Sequence, residues 1–216
     1  MRRNQNCGYL AKVGAALSVV LLLSLGACQP MANSNSNSSS TTSSSGNPTS
    51  VGGEPVEKPQ PTAAQTAALA NGQPVKWDQQ GITWTLPAGW KKISVSNESF
   101  SYGGNGAFLI VAISTMGPDF PTDVSIKAMH GGAKTNQKIG KYDEVRWLEL
   151  DGVRGVGFRE SKPETADDIR RLEWQAYRTF AGQTQLVTMI LSSNGANFPK
   201  HQDELYAIMY STKLTH

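Results

Sequence analysis

From Trp77 onward the chain alternates between apolar and polar positions with a period of two, and the alternation is broken by short turn signals. Ile82-Thr83-Trp84-Thr85-Leu86 reads as a strand stopped by Pro87, and Lys92 to Val95 alternates again. Ser99–Tyr102 and Ala107–Ser114 form a predicted hairpin across Gly103-Gly104-Asn105-Gly106, where positive φ values cost little. Ala107 to Ile113 is apolar at every position, which predicts a strand covered on both faces. Val145–Leu150 and Val153–Glu160 flank Asp151-Gly152, the strongest short hairpin signal in the chain. Ile169–Phe180 places Leu172, Trp174, Ala176 and Phe180 on one face, and Ala181-Gly182-Gln183 turns it into Thr184–Ser192.

Two segments switch to helical spacing. Thr122 or Asp123 is placed to cap a helix carrying Val124, Ile126, Met129 and Ala133, with Gly131-Gly132 ending or weakening it. Asn197 and Pro199 open a second helix to about Thr212, with Leu205, Ile208 and Met209 as its buried stripe. The order of strands, helix, strands, helix predicts an α+β domain with an antiparallel sheet over residues 76–216.

The first 75 residues obey a different grammar. Met1-Arg2-Arg3 precedes an apolar run, Val13 to Leu25, that is shorter than the ~20 residues needed to span a bilayer as a helix. Leu25-Gly26-Ala27-Cys28 follows, and this order resembles the lipobox of bacterial lipoproteins. The resemblance implies cleavage between Ala27 and Cys28, removal of residues 1–27, and acylation of Cys28 as the attachment to a membrane. An uncleaved anchor or an ordinary secretory signal are the alternatives. Arg2-Arg3 lacks the flanking residues of a twin-arginine signal, so the general secretory route is favoured. Gln29 after the cysteine implies the outer membrane if the envelope has one. Residues 28–75 then form a predicted disordered tether. Asn33–Ser45 is nearly pure Ser, Asn and Thr, Gly and Pro follow, and Ala63–Ala70 reaches at most a transient helical turn. Such a leash spans about 35–40 Å on average.

Composition narrows the function. Arg2, Arg3 and Lys12 lie in the signal, so the 20 basic and 17 acidic residues of the whole chain become 17 of each after cleavage. No basic field argues for nucleic acid. Of the 2 cysteines, Cys7 departs with the signal and Cys28 carries lipid, which leaves no disulfide or thiol ligand. The histidines His130, His201 and His216 do not cluster as a zinc or haem site requires, so no metal or cofactor is implied. His201-Gln202-Asp203-Glu204 reads as the acidic first turn of the last helix, and His130 as a residue near the end of the middle one. Asp143-Glu144 and Asp167-Asp168 fall at strand or loop ends beside basic residues, not across a cleft. The chain has no nucleophile elbow or phosphate loop, and a triad dispersed in space leaves no trace in sequence.

A strand followed by Leu86-Pro87-Ala88-Gly89-Trp90, a middle helix, four strands and a terminal helix resembles the PsbP-like fold, also seen in DcrB-like bacterial lipoproteins. The resemblance covers about Trp77 to Leu214 and implies an antiparallel sheet packed by helices, with accessory or scaffolding roles and no enzyme activity. No site residue is carried over. Trp174 and Trp84 belong to core faces, which leaves Trp90 and Trp147 as the candidate exposed patch for partner contact. Three readings result. The first is a lipid-anchored, non-enzymatic domain that binds or scaffolds another envelope component. The others are a carrier of a small molecule or lipid, and a hydrolase with a dispersed triad. The anchor is tested by intact mass: the purified protein should begin at Cys28 and carry a diacylglyceryl group, and Cys28→Ser should leave the membrane fraction. A chain that begins upstream of residue 28 with an unmodified thiol contradicts it.

Overall fold

The computed structural model describes residues 50–51 and 53–215. Cys28, Ala27 and the Ser/Asn/Thr tract lie outside these residues. The chain runs β1 (Ser50–Val51), β2 (Glu54–Glu57), α1 (Ala63–Ala68), β3 (Gln73–Trp77), a 3₁₀ turn (Asp78–Gln80), β4 (Ile82–Leu86), β5 (Lys91–Val95), β6 (Ser99–Gly104) and β7 (Ala107–Thr115). It continues through α2 (Thr122–Lys138), β8 (Tyr142–Leu150), β9 (Val153–Glu160), β10 (Ile169–Phe180), β11 (Gln183–Asn194), α3 (Phe198–Tyr210) and β12 (Lys213–Leu214). Nine strands form one sheet in the order β1-β2-β8-β9-β10-β11-β7-β6-β5, and β12-β4-β3 form a small second sheet. Every pairing is antiparallel except β2 on β8. This is the predicted α+β class.

Turn chemistry sets the register. Asn105-Gly106, Asp151-Gly152 and Ala181-Gly182 all have positive φ at both residues, as two-residue loops matched to strand twist require. The main core lies between one face of the large sheet, α3 and the small sheet. Leu148, Leu172, Trp174, Met189, Leu109 and Phe100 pack there against Leu205, Ile208, Trp77 and Trp84. Trp174 crosses over Gly155 to donate its indole N–H to the Leu148 carbonyl at 3.0 Å. On the other face α2 packs on β8, β9 and β10, with Ile126 and Ala133 against Val145, Trp147, Val156 and Phe158.

Three expectations need correction. Residues 53–75, predicted as the end of the tether, belong to the domain. Val56 joins the α2 cluster, and Glu57 and Lys58 pair with Arg146 and Glu149 at 2.9 and 3.3 Å. Thr62 and Gln65 close a reciprocal capping box, so the alanine-rich stretch is the fixed helix α1. Gly131-Gly132 does not end the middle helix, which continues to Lys138. Asp203 and Glu204 lie in the second turn of α3 because that helix starts at Phe198.

Arg178 shows how a buried charge can serve the fold. It reaches from β10 to the Gln80 carbonyl at 2.7 Å and to Gln185 Oε1 at 3.1 Å, stacked on Phe180 at 4.5 Å. Burial pulls its pKa down to about 10. It ties the 3₁₀ turn to the β10–β11 hairpin.

A Cβ on Gly155 would lie 2.6 Å from both the Gln175 carbonyl oxygen and Trp174 Nε1. Gly155→Ala should therefore cost about 1–3 kcal/mol in urea unfolding. Gly131→Ala meets nothing within 4 Å and should add up to about 1 kcal/mol. Equal stability of Gly155→Ala and the parent protein would contradict this packing.

Candidate interaction surface

The two tryptophans proposed for partner contact are buried. Trp90 is 3% exposed because the turn after Pro87 folds it over Gly104, and its indole donates to Glu204 Oε1 at 3.2 Å. Trp147 is 2% exposed beneath α2, where it stacks on His130 with ring centroids 4.3 Å apart. Neither can form an exposed patch. The strand pattern predicted which face Trp147 shares but not that a helix covers that face. Ala27 and Cys28 fall outside the described residues.

The densest polar cluster was missed, and a β-bulge builds it. The register shifts between Tyr142 and Glu144, so Asp143 and Glu144 both turn toward α3. Asp143 accepts from Arg159 Nε at 2.7 Å and from Arg170. Glu144 accepts from Tyr206 at 2.6 Å and pairs with Arg146 and Arg159, each at 3.1 Å. Arg146 also reaches Glu57 at 2.9 Å and the Tyr210 hydroxyl at 2.6 Å. Burial opposes the charge on Arg146, yet Glu144, Tyr210 and Glu57 hold its pKa above the ordinary value. Burial and then the Glu144 carboxylate push Tyr206 upward, which makes it a poor base or nucleophile. Three guanidiniums, Arg146, Arg159 and Arg170, face three carboxylates, Glu57, Asp143 and Glu144. Every one of these charges is already matched, so the cluster fastens β2, β8, β9 and β10 to α3.

A cleft of about 510 Å³ opens beside it, lined by Val56, Glu57, Lys58, Gln60, Arg146 and Tyr210. Its charged groups are held by protein partners, and its lining is polar, unlike the apolar pocket a lipid carrier requires. Among the described residues no group of three or more His, Cys, Asp or Glu is placed to hold a metal ion. No described helix is long and apolar enough to cross a membrane. His201 lies beside Glu204 at 3.7 Å, and His130 beside Glu54 at 3.3 Å.

The outer face of the sheet beyond β10 is different. β7 was expected to be covered on both sides, but its pattern is buried on one face and exposed on the other. Ser101 opposite Ile110 and Gly103 opposite Phe108 fix which side chains turn outward. Ile93, Phe108 and Ile110 are 57%, 39% and 39% exposed. Ile93 and Phe108 close over Gly103, where an added Cβ would sit 3.1 and 2.9 Å from their Cδ1 atoms. On β11, Ile190 and Thr188 lie opposite Ile110 and Ala112 and are half-buried. β5, β6, β7 and β11 contain no Asp or Glu, and their only charges are Lys91 and Lys92. The carboxylates and arginines of the sheet are concentrated on β8, β9 and β10. The outer side of these strands thus exposes Ile93, Phe108 and Ile110 among Ser and Thr hydroxyls, with no carboxylate on the strands themselves.

No family model matches this chain, and no curated protein matches it either. Several solved structures are similar to it. One is the cyanobacterial PsbP protein CyanoP of Synechocystis sp. PCC 6803, at 16% identity over 67% of this chain and 92% of that one, with a TM-score of 0.46. Another is LpqN of Mycobacterium tuberculosis, a protein involved in cell envelope biogenesis, at 13% identity over 67% and 91% of the two chains, with a TM-score of 0.49. A third is the Ran-binding protein Mog1p of Saccharomyces cerevisiae, at 11% identity over 67% and 95%, with a TM-score of 0.42.

The burial of His130 has a pH signature. Desolvation lowers its pKa below 6.5, against a smaller opposing pull from Glu54. The unfolded chain therefore takes up this proton before the folded one. Stability should fall as pH drops from about 6.5 through the lowered folded pKa, with no contribution from this group above that window. His130→Gln should flatten the slope of unfolding free energy between about pH 7 and pH 5. An unchanged slope would contradict it.

Proposed function

We propose that the chain is a lipid-anchored envelope protein whose domain binds or scaffolds another envelope component and carries out no chemistry of its own. The observation that carries this reading is the uncovered half-sheet, with Ile93, Phe108 and Ile110 exposed on strands that hold no carboxylate. The saturated Arg–carboxylate cluster supports the non-enzymatic part, since its groups are fixed and mutually neutralised.

A photo-crosslinking residue at Phe108 or Ile110 in living cells should capture one discrete species, which mass spectrometry identifies. The same residue at Lys200, exposed on α3, should not capture it. Indistinguishable, diffuse products at Phe108 and Lys200 would count against the reading.

A further inference from the structure

We propose that the edge of β8 is a docking groove for an extended acidic segment of a partner protein, and that β2 is the chain's own displaceable occupant of that groove. The groove lies apart from the Ile93–Phe108–Ile110 face in the strand order and needs no lipid on Cys28.

β2 is lightly held for a strand that closes a sheet. It pairs with β8 only at Val56 opposite Trp147 and Glu57 opposite Leu148, whereas β9 pairs with the other side of β8 from Tyr142 to Leu150. The β2 pairing is parallel, the weaker kind per residue, and Pro55 has no N–H to donate. Among the described residues no strand pairs with residues 142–146 on the β2 side. The charged side chains that fasten the strand stand largely in water, with Glu54, Glu57 and Lys58 at 43%, 47% and 70% exposed. Ion pairs that exposed hold little. α1 is fixed separately, by its capping box and by packing on α3, so β2 can leave without it.

The fastening specifies what can replace it. On the α2 side Glu54 lies 3.3 Å from His130 Nε2 and 3.6 Å from Lys134 Nζ, and Val56 packs into the cluster that holds Trp147. On the α3 side Glu57 meets Arg146 at 2.9 Å. The groove therefore reads acid, apolar and acid at positions i, i+2 and i+3 of an extended chain. A neutral chain in the same place would take these carboxylates from Lys134 and Arg146 and return none, so charge complementarity selects an acidic one. β2 also fits incompletely. The cleft of about 510 Å³ lies between Val56, Glu57, Lys58 and Gln60 on one side and Arg146 and Tyr210 on the other. Nearby, the buried Nε1 of Trp147 and Nε2 of His130 have no hydrogen-bond partner among the described residues. An incoming strand with longer side chains has room beside Arg146, and its main chain can pair with the part of β8 that β2 leaves bare.

The probes are two fluorescein-labelled peptides, one with the chain's own sequence from 53 to 60 and one with Gln in place of both Glu54 and Glu57. The protein is the full chain in mild detergent, carrying Glu54→Gln/Glu57→Gln so that its own strand is loosened. By fluorescence anisotropy the acidic peptide should bind this protein about tenfold more tightly than it binds the parent chain, and about tenfold more tightly than the Gln peptide does. Hydrogen exchange should slow at residues 142–150 on binding and stay unchanged in β5. Adding Lys134→Glu should abolish the preference for the acidic peptide, and a peptide with Lys in place of Glu54 should restore binding. If the loosened chain does not fold, the parent chain with millimolar peptide gives the same comparison, because a tethered strand competes at a roughly millimolar effective concentration. Equal binding of the acidic and Gln peptides, no binding at millimolar peptide, or binding without slowed exchange at residues 142–150 overturns the proposal. A loosened chain that doubles its mass in light scattering and excludes the peptide also overturns it, because β2 of a second copy then fills the groove.

Discussion

One helix cannot cover nine strands. Strands stand about 4.8 Å apart, whereas a packed helix occupies 8–10 Å, so α2 shields two or three of them. It does so over β8, β9 and β10, where Val145, Trp147, Val156 and Phe158 receive Ile126 and Ala133. The other face has no such shortage, because α3 and the small sheet together close over the main core. The outer half beyond β10 is what this inequality leaves, and the functional reading grows from it.

Polar and apolar residues respect the same division. β8, β9 and β10 carry the arginines and carboxylates, locked to one another and to Tyr206 and Tyr210 on α3. β5, β6, β7 and β11 carry hydroxyl and apolar side chains with two lysines. A cluster in which each cation has its anion stabilises a strand edge and the segment entering it. On β5 and β7, Ile93, Phe108 and Ile110 stand exposed instead.

Much of the sheet was legible because strand alternation and turn residues are local signals. Asp151-Gly152, Asn105-Gly106 and the stop at Pro87 place five strands before any tertiary contact is considered. What escaped depends on long-range coverage. Trp147 sits on the face the alternation assigned, but only the return of α2 buries it. Trp90 was assigned to an exposed patch, and only its packing over Gly104 buries it. Residues 53–75 looked featureless by composition, although Thr62-Ala63-Ala64-Gln65 spelled a capping box that could have marked α1. The bulge at Asp143 left no local mark, since only its pairing with β9 shows that two successive carboxylates share a side.

The central claim is that the Ile93–Phe108–Ile110 face is engaged in the envelope. Hydroxyl-radical footprinting of the full chain in native envelope vesicles, compared with the same protein extracted in mild detergent and exchanged into an amphipathic polymer, measures that most directly. The account predicts that oxidation of Ile93, Phe108 and Ile110 is suppressed in the envelope, while exposed Val124 on α2 reacts equally in both preparations. Equal reactivity of Phe108 in the two preparations would contradict it.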